Sequence, residues 1–275
     1  GGSGKQSLTR LSSFIKGYET RQLQVTGSFK VDDLLEAFRE MFKAAGVKGI
    51  PMVFLMTDSQ VVDDRFLIYI NSILASGWIS GLFPKDEIDG MLGNLRNEAK
   101  ANGIPDMPDA MLAFLISRVQ SNLHVVLCFS PVGDLFRVRA RRFPALIMST
   151  AIDFFHPWPR EALISVAYKF LDPEEVELPE DFLREQLAIH MAEEHLSVTT
   201  QSVLYLETQG RFNYVTPKSY LELIGFYKYL LSLKRANVMR LIDRLDVGLS
   251  TLRKTAADVA ELQIDLSHRL EVVAE

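Results

Sequence analysis

The chain has 275 residues, of which 48% are apolar and 24% are charged, and its formal net charge is −5. This length predicts two packed units, and the lack of a basic excess argues against nucleic acid and anionic membrane as partners. A single cysteine, Cys128, excludes an internal disulfide framework and a cysteine-rich zinc site, and no apolar run reaches the roughly 20 residues of a membrane span, so we expect a soluble intracellular protein.

The opening residues, GGSGK, allow two interpretations, either the end of a phosphate-binding loop or a Gly/Ser linker. Apolar residues at helical spacing follow at once and predict a helix that begins near Lys5. These residues are Leu8, Leu11, Phe14 and Ile15. Because a linker would not continue as an amphipathic helix, we favour the loop, whose first glycine and feeding strand would lie upstream of Gly1.

The next 130 or so residues predict a parallel sheet with flanking helices, an α/β fold of the doubly wound P-loop type. The predicted strands are residues 22–27, 50–58, 124–133 and 145–155. The predicted helices are residues 31–46, 63–75 and 107–120. The strand at 50–58 is a continuous apolar run that ends in Asp58, so this carboxylate is expected at the carboxyl edge of the sheet, where ligands bind.

The loop and Asp58 together predict a Walker A and Walker B pair that binds ATP or ADP with Mg²⁺. Backbone N–H groups and the start of the helix would hold the phosphates, Lys5 would reach their outer oxygens, and Asp58 would serve the metal. The predicted nucleotide-binding residues of the loop are Gly1, Gly2, Ser3, Gly4, Lys5, Gln6 and Ser7.

Two departures from the usual pattern concern catalysis. Gln6 stands where a Ser or Thr normally binds Mg²⁺, with Ser7 one position later, and a glutamine carbonyl is not an equivalent metal ligand. Ser59 follows Asp58 where AAA+ hydrolases carry a glutamate that polarises water, and a hydroxyl is a poor base at neutral pH. We therefore expect nucleotide binding with slow hydrolysis or none.

The remainder of the chain is predicted to be helical in two parts. Residues 157–232 show helix after helix with short polar breaks, and residues 233–275 carry a heptad pattern, which divides the chain into segments 1–156, 157–232 and 233–275. The heptad residues are Val238, Ile242, Leu245, Leu249, Leu252, Ala256, Val259, Gln263, Leu266, Leu270 and Val273. The pattern favours a coiled coil that needs a partner helix, and the alternative is an amphipathic helix lying on the body.

These motifs resemble the fourth AAA+ module of dynein heavy chains, in the axonemal rather than the cytoplasmic form. The resemblance covers nearly the whole chain. It rests on GGSGKQSLTRL, FLMTDSQ, ILASGWISGLFPKDE, LHVVLCFSPVGDLFRVRARRFPALI, IDFFHPWPREAL and NYVTPKSYLELI. The sequence TDSQ is similar to the axonemal pattern, whereas cytoplasmic forms keep an Asp-Glu pair there.

The resemblance implies further site residues. Ser130 stands at the sensor I position, where it would hydrogen-bond a γ-phosphate or its water. Arg141 and Arg142 lie in the arginine-finger region, which would act in trans on the preceding module, and Lys218 lies where a sensor II cation is expected. The predicted catalytic set is Asp58, Ser59, Ser130, Arg141 and Arg142. Lys218 is a further predicted nucleotide-binding residue, and Asp58 and Gln6 form the predicted metal set.

The resemblance also implies a place in a larger machine, an ATP-driven microtubule motor of the cytoplasm and cytoskeleton, in the axoneme of a cilium or flagellum. The expected partners are the neighbouring AAA+ modules, the intermediate and light chains, and a returning stalk helix that leads to a microtubule-binding tip. The heptad segment would be the outgoing stalk helix, in which Gln263 and Ala256 would bring competing registers closer in energy.

Two other functions stay open at this point. The module would serve as a nucleotide-stabilised scaffold without turnover, or the chain would be an independent P-loop ATPase or kinase with a coiled-coil oligomerisation tail. The string HMAEEH is not interpreted as a metal site, because the spacing of His190 and His195 matches no known zinc motif.

Overall fold

A computed structural model describes residues 2–131, 133–173, 176, 178 and 180–274, with only the backbone described at 265 and 267–274. The chain divides into two compact units, Gly1–His156 and Pro157–Glu275.

The first unit is an α/β unit built on a parallel sheet. Its strands are β1 (Glu19–Gln22), β2 (Met52–Thr57) and β3 (Leu123–Cys128). Its helices are α1 (Lys5–Lys16), α2 (Val31–Phe42), α3 (Arg65–Ser76), α4 (Lys85–Ala101), α5 (Pro108–Asn122), α6 (Leu135–Arg142) and α7 (Ala145–Met148). Within the described residues the strand order is β1-β2-β3, with Glu19 opposite Met52 and Met52 opposite Leu123. The predicted parallel sheet with flanking helices is confirmed.

The central strand β2 is buried on both faces, which explains its continuous apolar sequence. Its alternate residues Met52, Phe54 and Met56 enter the main core, where the Phe54 ring meets Phe38 of α2 edge to face at 5.3 Å. The opposite face is covered by α1, which contacts all three strands. This arrangement places the start of α1 beside the carboxyl ends of β2 and β3.

A π-helical turn, Lys43–Val47, continues α2 and packs against α5. A Cβ atom at Gly46 would lie 2.7 Å from Leu115 Cδ1, so the close approach of α5 requires glycine there. The carbonyls of this turn are satisfied from α5, since Arg118 donates to Gly46 O at 2.7 Å and Asn122 donates to Ala45 O at 3.0 Å. These contacts fix α5, and hence the start of β3, against the core.

Three sequence predictions differ from the structure. The strand predicted at 145–155 is wrong: α7 begins directly after Pro144, with the Ala145 N–H donating to Asn71 Oδ1 at 3.0 Å, and the residues after it have no strand partner among those described. The strand predicted at 22–27 lies earlier, at Glu19–Gln22. Helix α4 was not predicted, since Gly90 and Gly93 weaken its pattern although Met91, Leu95 and Ala99 bury one face.

The second unit is helical, as the sequence predicted. Its helices are α8 (Arg160–Phe170), α9 (Asp181–Gln209) and α10 (Pro217–Ala274). Tyr220 of α10 is fully buried between α8 and α9, where its hydroxyl donates to Leu163 O at 2.9 Å and burial raises its pKa to about 12. The ring of His195 on α9 lies 4.9 Å from the Tyr220 ring, centroid to centroid, and is tilted by 57° against it, and burial lowers the pKa of the His195 imidazole.

Helix α10 runs without a break through residues 232 and 233, where the sequence analysis divided the helical segment from the heptad segment. Most apolar heptad side chains described along it are largely exposed. They are Val238, Ile242, Leu245, Leu249, Leu252, Val259 and Leu266. The predicted heptad residues Leu270 and Val273 lie outside the described side chains. Among the helices described, none is long and apolar enough to cross a membrane.

Candidate functional site

The glycine-rich loop leads directly into α1. Gly2 and Gly4 have φ angles of 86° and 87°, a region that side-chain-bearing residues rarely adopt. Gly4 caps the helix without any side-chain hydrogen bond, and the first turn of α1 carries no acidic residue. The N–H groups at this helix start therefore face no competing carboxylate from their own turn, which suits a phosphate group. The predicted residue Gly1 lies outside the described residues.

Lys5 reaches from α1 to the end of β3. Its Nζ donates to Phe129 O at 3.2 Å, one residue beyond the strand. The thiol of Cys128, at the end of β3, lies close enough to both charged residues to be affected by them. Burial raises the pKa of this thiol, a hydrogen bond with Thr9 and the charge of Lys5 lower it, and the charge of Asp58 raises it. The predicted Walker A lysine and Walker B aspartate thus lie around one point at the carboxyl edge of the sheet.

Asp58 begins a short 3-10 turn, Asp58–Gln60, directly after β2. Its two carboxylate oxygens have separate partners. Oδ2 accepts from the backbone N–H of Ser130, and Oδ1 faces Arg139 Nη1 at 3.4 Å. The hydrogen bond to Ser130 brings the predicted sensor I residue beside Asp58, and Lys5 bonds to the carbonyl of the residue before Ser130.

Gln60, which the sequence analysis did not single out, holds this turn in place. Its buried side chain accepts from the N–H of Thr57 at 2.8 Å and from the Thr57 hydroxyl at 3.1 Å, and it donates to Leu23 O just after β1. Through these bonds Gln60 connects the end of β2 with the residue that follows β1. Thr57 and Gln60 stand before and after Asp58, so the bonds between them fix the turn that carries this carboxylate. The sequence signal that could have identified Gln60 is its position, two residues after the acid that ends the apolar strand.

Ser59 is exposed at the tip of the same turn. Its hydroxyl shares a hydrogen bond of 3.0 Å with the Thr57 hydroxyl. No carboxylate or imidazole stands at position 59, and the hydroxyl there is already engaged with its neighbour.

Helix α6 presents a row of arginines with different environments. Arg139 is buried, with 8% of its side chain exposed, and its guanidinium faces both Asp58 and Asp64, each at 3.4 Å. Arg142 has 60% of its side chain exposed and pairs with the other oxygen of Asp64 at 3.3 Å. Arg141 is exposed and forms no ion pair with any residue that the structure describes. The sequence analysis named Arg141 and Arg142 and missed Arg139.

For three other predicted residues the structure shows only their exposure and their local contacts. Gln6 and Ser7 have exposed side chains on the first turn of α1. Lys218 belongs to the second unit, where it starts α10 and pairs with Glu222 at 3.5 Å with 70% of its side chain exposed. Nothing in the first unit's geometry assigns these residues a ligand.

The arrangement fits a phosphate group better than a bound metal. Open N–H groups, a lysine and glycines with positive φ suit an anion. Metal ligands are scarce: no group of three or more His, Cys, Asp or Glu side chains comes together among the described residues, and Asp58 is the one acid that the sequence analysis assigned to a metal. Both oxygens of that carboxylate already have protein partners.

A groove of about 1220 Å³ runs along the outer edge of β3 in the first unit. Strand β3 pairs only with β2 among the described strands, so its other edge faces this groove. The groove extends from α1 to the segment after α7. Residues along it include Lys5, Thr9, His124, Val126, Ile147 and Ile152.

The family model and the similar proteins all point to the same family, the dynein heavy chains. The family described as P-loop containing dynein motor region D4 matches residues 1–230. The chain is 47% identical over its whole length to the flagellar outer arm dynein beta chain of Chlamydomonas reinhardtii. Over 97% of its length it is 46% identical to the ciliary dynein beta chain of Tripneustes gratilla and 43% identical to human dynein axonemal heavy chain 17. The chain spans about 6% of the length of each of these relatives.

Proposed function

Because the chain belongs to the dynein motor region D4 family, we propose that it is a nucleotide-binding module of an axonemal dynein heavy chain. One observation carries this proposal: the glycine loop, Lys5, Asp58 and Ser130 converge at the carboxyl edge of a parallel sheet. The ligand is ATP or ADP. Its phosphates would lie against the start of α1, with Lys5 exchanging its bond to Phe129 O for a phosphate oxygen.

We propose that the module hydrolyses its nucleotide slowly or not at all. Ser59 offers no general base, and its hydroxyl is bonded to Thr57. Ser130 would contact the γ-phosphate or its water less fully than a longer amide side chain would. The sequence predicts Asp58 and Gln6 as Mg²⁺ ligands, but both oxygens of Asp58 already have protein partners and Gln6 is exposed, so we assign Mg²⁺ no fixed place at this site.

At the level of the whole protein, we propose an ATP-driven microtubule motor of the ciliary or flagellar axoneme. The support is the printed names of the relatives, which are flagellar outer arm, ciliary and axonemal dynein chains. Neighbouring AAA+ modules, intermediate and light chains and the microtubule would be its partners. The family and the relatives give no support to an independent P-loop kinase with an oligomerisation tail.

Arg141 suits a role in trans, since it is exposed and free of ion pairs among the described residues. A guanidinium that reaches a neighbouring module's phosphates needs such availability. Arg142 would first have to leave Asp64. Lys218 stays a proposed sensor II residue.

The exposed apolar heptads of α10 support a coiled coil with a returning stalk helix, because an isolated helix of this kind leaves its seam in water. Segments 1–156, 157–232 and 233–275 would then be the large subdomain, the small subdomain and the start of the stalk. The groove along β3 would receive the strand that feeds the phosphate loop, which would pair with the edge of β3 that has no partner among the described strands.

The test is nucleotide binding to the protein that carries this chain, extended upstream so that the whole loop is present. We expect Lys5→Ala to weaken ATP and ADP binding about tenfold or more, because it removes a charge-assisted contact to phosphate. Lys16→Ala, at the other end of α1, is the matched control and should bind normally. Single-turnover hydrolysis should be negligible in all three proteins. Equal binding by the wild type and Lys5→Ala would refute the proposed site, and rapid turnover at this site would refute slow hydrolysis.

A further inference from the structure

Arg139 is a buried cation between two acids. Only 8% of its side chain is exposed, although it lies on α6 among arginines that are largely exposed. Its Nη1 lies 3.4 Å from Asp58 Oδ1, and its Nε lies 3.4 Å from Asp64 Oδ1. A buried guanidinium keeps its charge, so it is stable only while carboxylates face it.

Arg139 places its positive charge beside the carboxylate that the sequence predicts as a metal ligand, Asp58. In P-loop proteins a divalent cation stands between the Walker B carboxylate and the phosphates. Here the carboxylate already faces a fixed positive charge on Oδ1 and a backbone N–H on Oδ2. A metal would have to displace one of these partners.

The other metal ligand is weak as well. Gln6 replaces the hydroxyl residue that usually completes the metal site, and its side chain is exposed on α1. The described residues therefore hold one strong protein ligand for a metal, and that ligand is paired.

We propose that Arg139 stands in for the divalent cation at Asp58, so that this module binds ATP or ADP with little dependence on Mg²⁺. This inference rests on the proposed nucleotide site. Arg139 is a positioning residue: it holds Asp58 and Asp64 together and supplies fixed positive charge behind the phosphates. Lys5, which bonds to Phe129 O, is left to contact the phosphate oxygens.

The experiment measures ADP affinity by calorimetry in Mg²⁺ and again in excess EDTA, on the protein with its complete loop. In the wild type we expect removal of Mg²⁺ to change affinity by less than about threefold, because the protein already supplies the charge. In Arg139→Gln we expect the change to reach about tenfold or more, since the freed Asp58 then serves the metal.

Two variants make the result specific. Arg139→Lys keeps the charge and should restore weak Mg²⁺ dependence, which a purely structural role for Arg139 would not predict. Arg137→Gln, on the same helix with 78% of its side chain exposed and a 3.9 Å pairing to Asp134, is the matched control and should behave as the wild type.

Strong Mg²⁺ dependence in the wild type, with binding that still requires Lys5, would overturn this inference and leave the proposed site intact. Loss of all Lys5-dependent binding would overturn both. The wild-type comparison alone decides the main claim, so a variant that fails to fold does not remove the test.

Discussion

Replacement of Gln60 by alanine is expected to destabilise the first unit and loosen the turn that carries Asp58. The glutamine accepts two hydrogen bonds from Thr57 and donates one to the carbonyl of Leu23. In Gln60→Ala the buried N–H of Thr57 loses the side-chain oxygen that accepts its hydrogen bond, and the carbonyl of Leu23 loses its donor.

The magnitude follows from the burial of these groups. A buried donor left without a partner costs about 1 to 3 kcal/mol. The half-buried Leu23 carbonyl recovers part of its loss from water, so about 1 kcal/mol is reasonable for it. The total expected loss in the free energy of unfolding is therefore about 2 to 4 kcal/mol.

Urea unfolding, followed by circular dichroism and by the fluorescence of Trp78 in the main core, measures this loss. Ser59→Ala removes one partly buried hydrogen bond to Thr57 and serves as the control, with an expected loss of about 0.5 kcal/mol. If Gln60→Ala and Ser59→Ala unfold at the same urea concentration, then Gln60 does not hold the turn and the reasoning fails.

Three further predictions concern packing and titration. Gly46→Ala should cost about 1 to 3 kcal/mol by forcing a Cβ against Leu115, whereas Gly93→Ala, which meets nothing within 4 Å, should be neutral or slightly stabilising; equal urea midpoints would contradict this. Tyr220→Phe should cost about 1 to 2 kcal/mol through its lost bond to a buried carbonyl of α8, and a loss near zero in urea unfolding would show that the hydroxyl contributes little. Because burial lowers the pKa of His195 from 6.5, the unfolded chain takes up its proton first as pH falls, so stability should decline below about pH 6.5, and His195→Gln should flatten this decline in a pH series of unfolding curves.

Local patterns predicted the elements whose apolar residues face a single core. Strand β2 is apolar throughout because helices cover both of its faces, and α1 is visible from its helical spacing. Strand β1 is different. Its sequence, ETRQ, alternates between exposed and half-buried positions at the sheet edge, so it carries no apolar signal and the predicted strand was placed too late.

For the candidate site too, the residues within short motifs could be predicted from the sequence, whereas a residue that packs onto the site from a distant part of the chain could not. Lys5 and Asp58 belong to motifs that are contiguous in sequence, and the structure brings them to the adjacent residues Phe129 and Ser130. Arg139 acts on Asp58 from 81 positions further along the chain, and only packing distinguishes it from its exposed neighbours on α6. Residue type and spacing alone gave no reason to choose it over Arg141 or Arg142.

Helix α10 has a mechanical consequence for the second unit. At about 1.5 Å per residue its 58 residues extend roughly 87 Å, and its core contacts end near Leu231, about 22 Å from its start. The remaining length is about three times the anchored length, so a tilt that moves the base by about 1 Å displaces Ala274 by about 3 Å. Since no proline or break interrupts the helix after Pro217, it behaves as a lever whose pivot lies near Leu231, where its core contacts end.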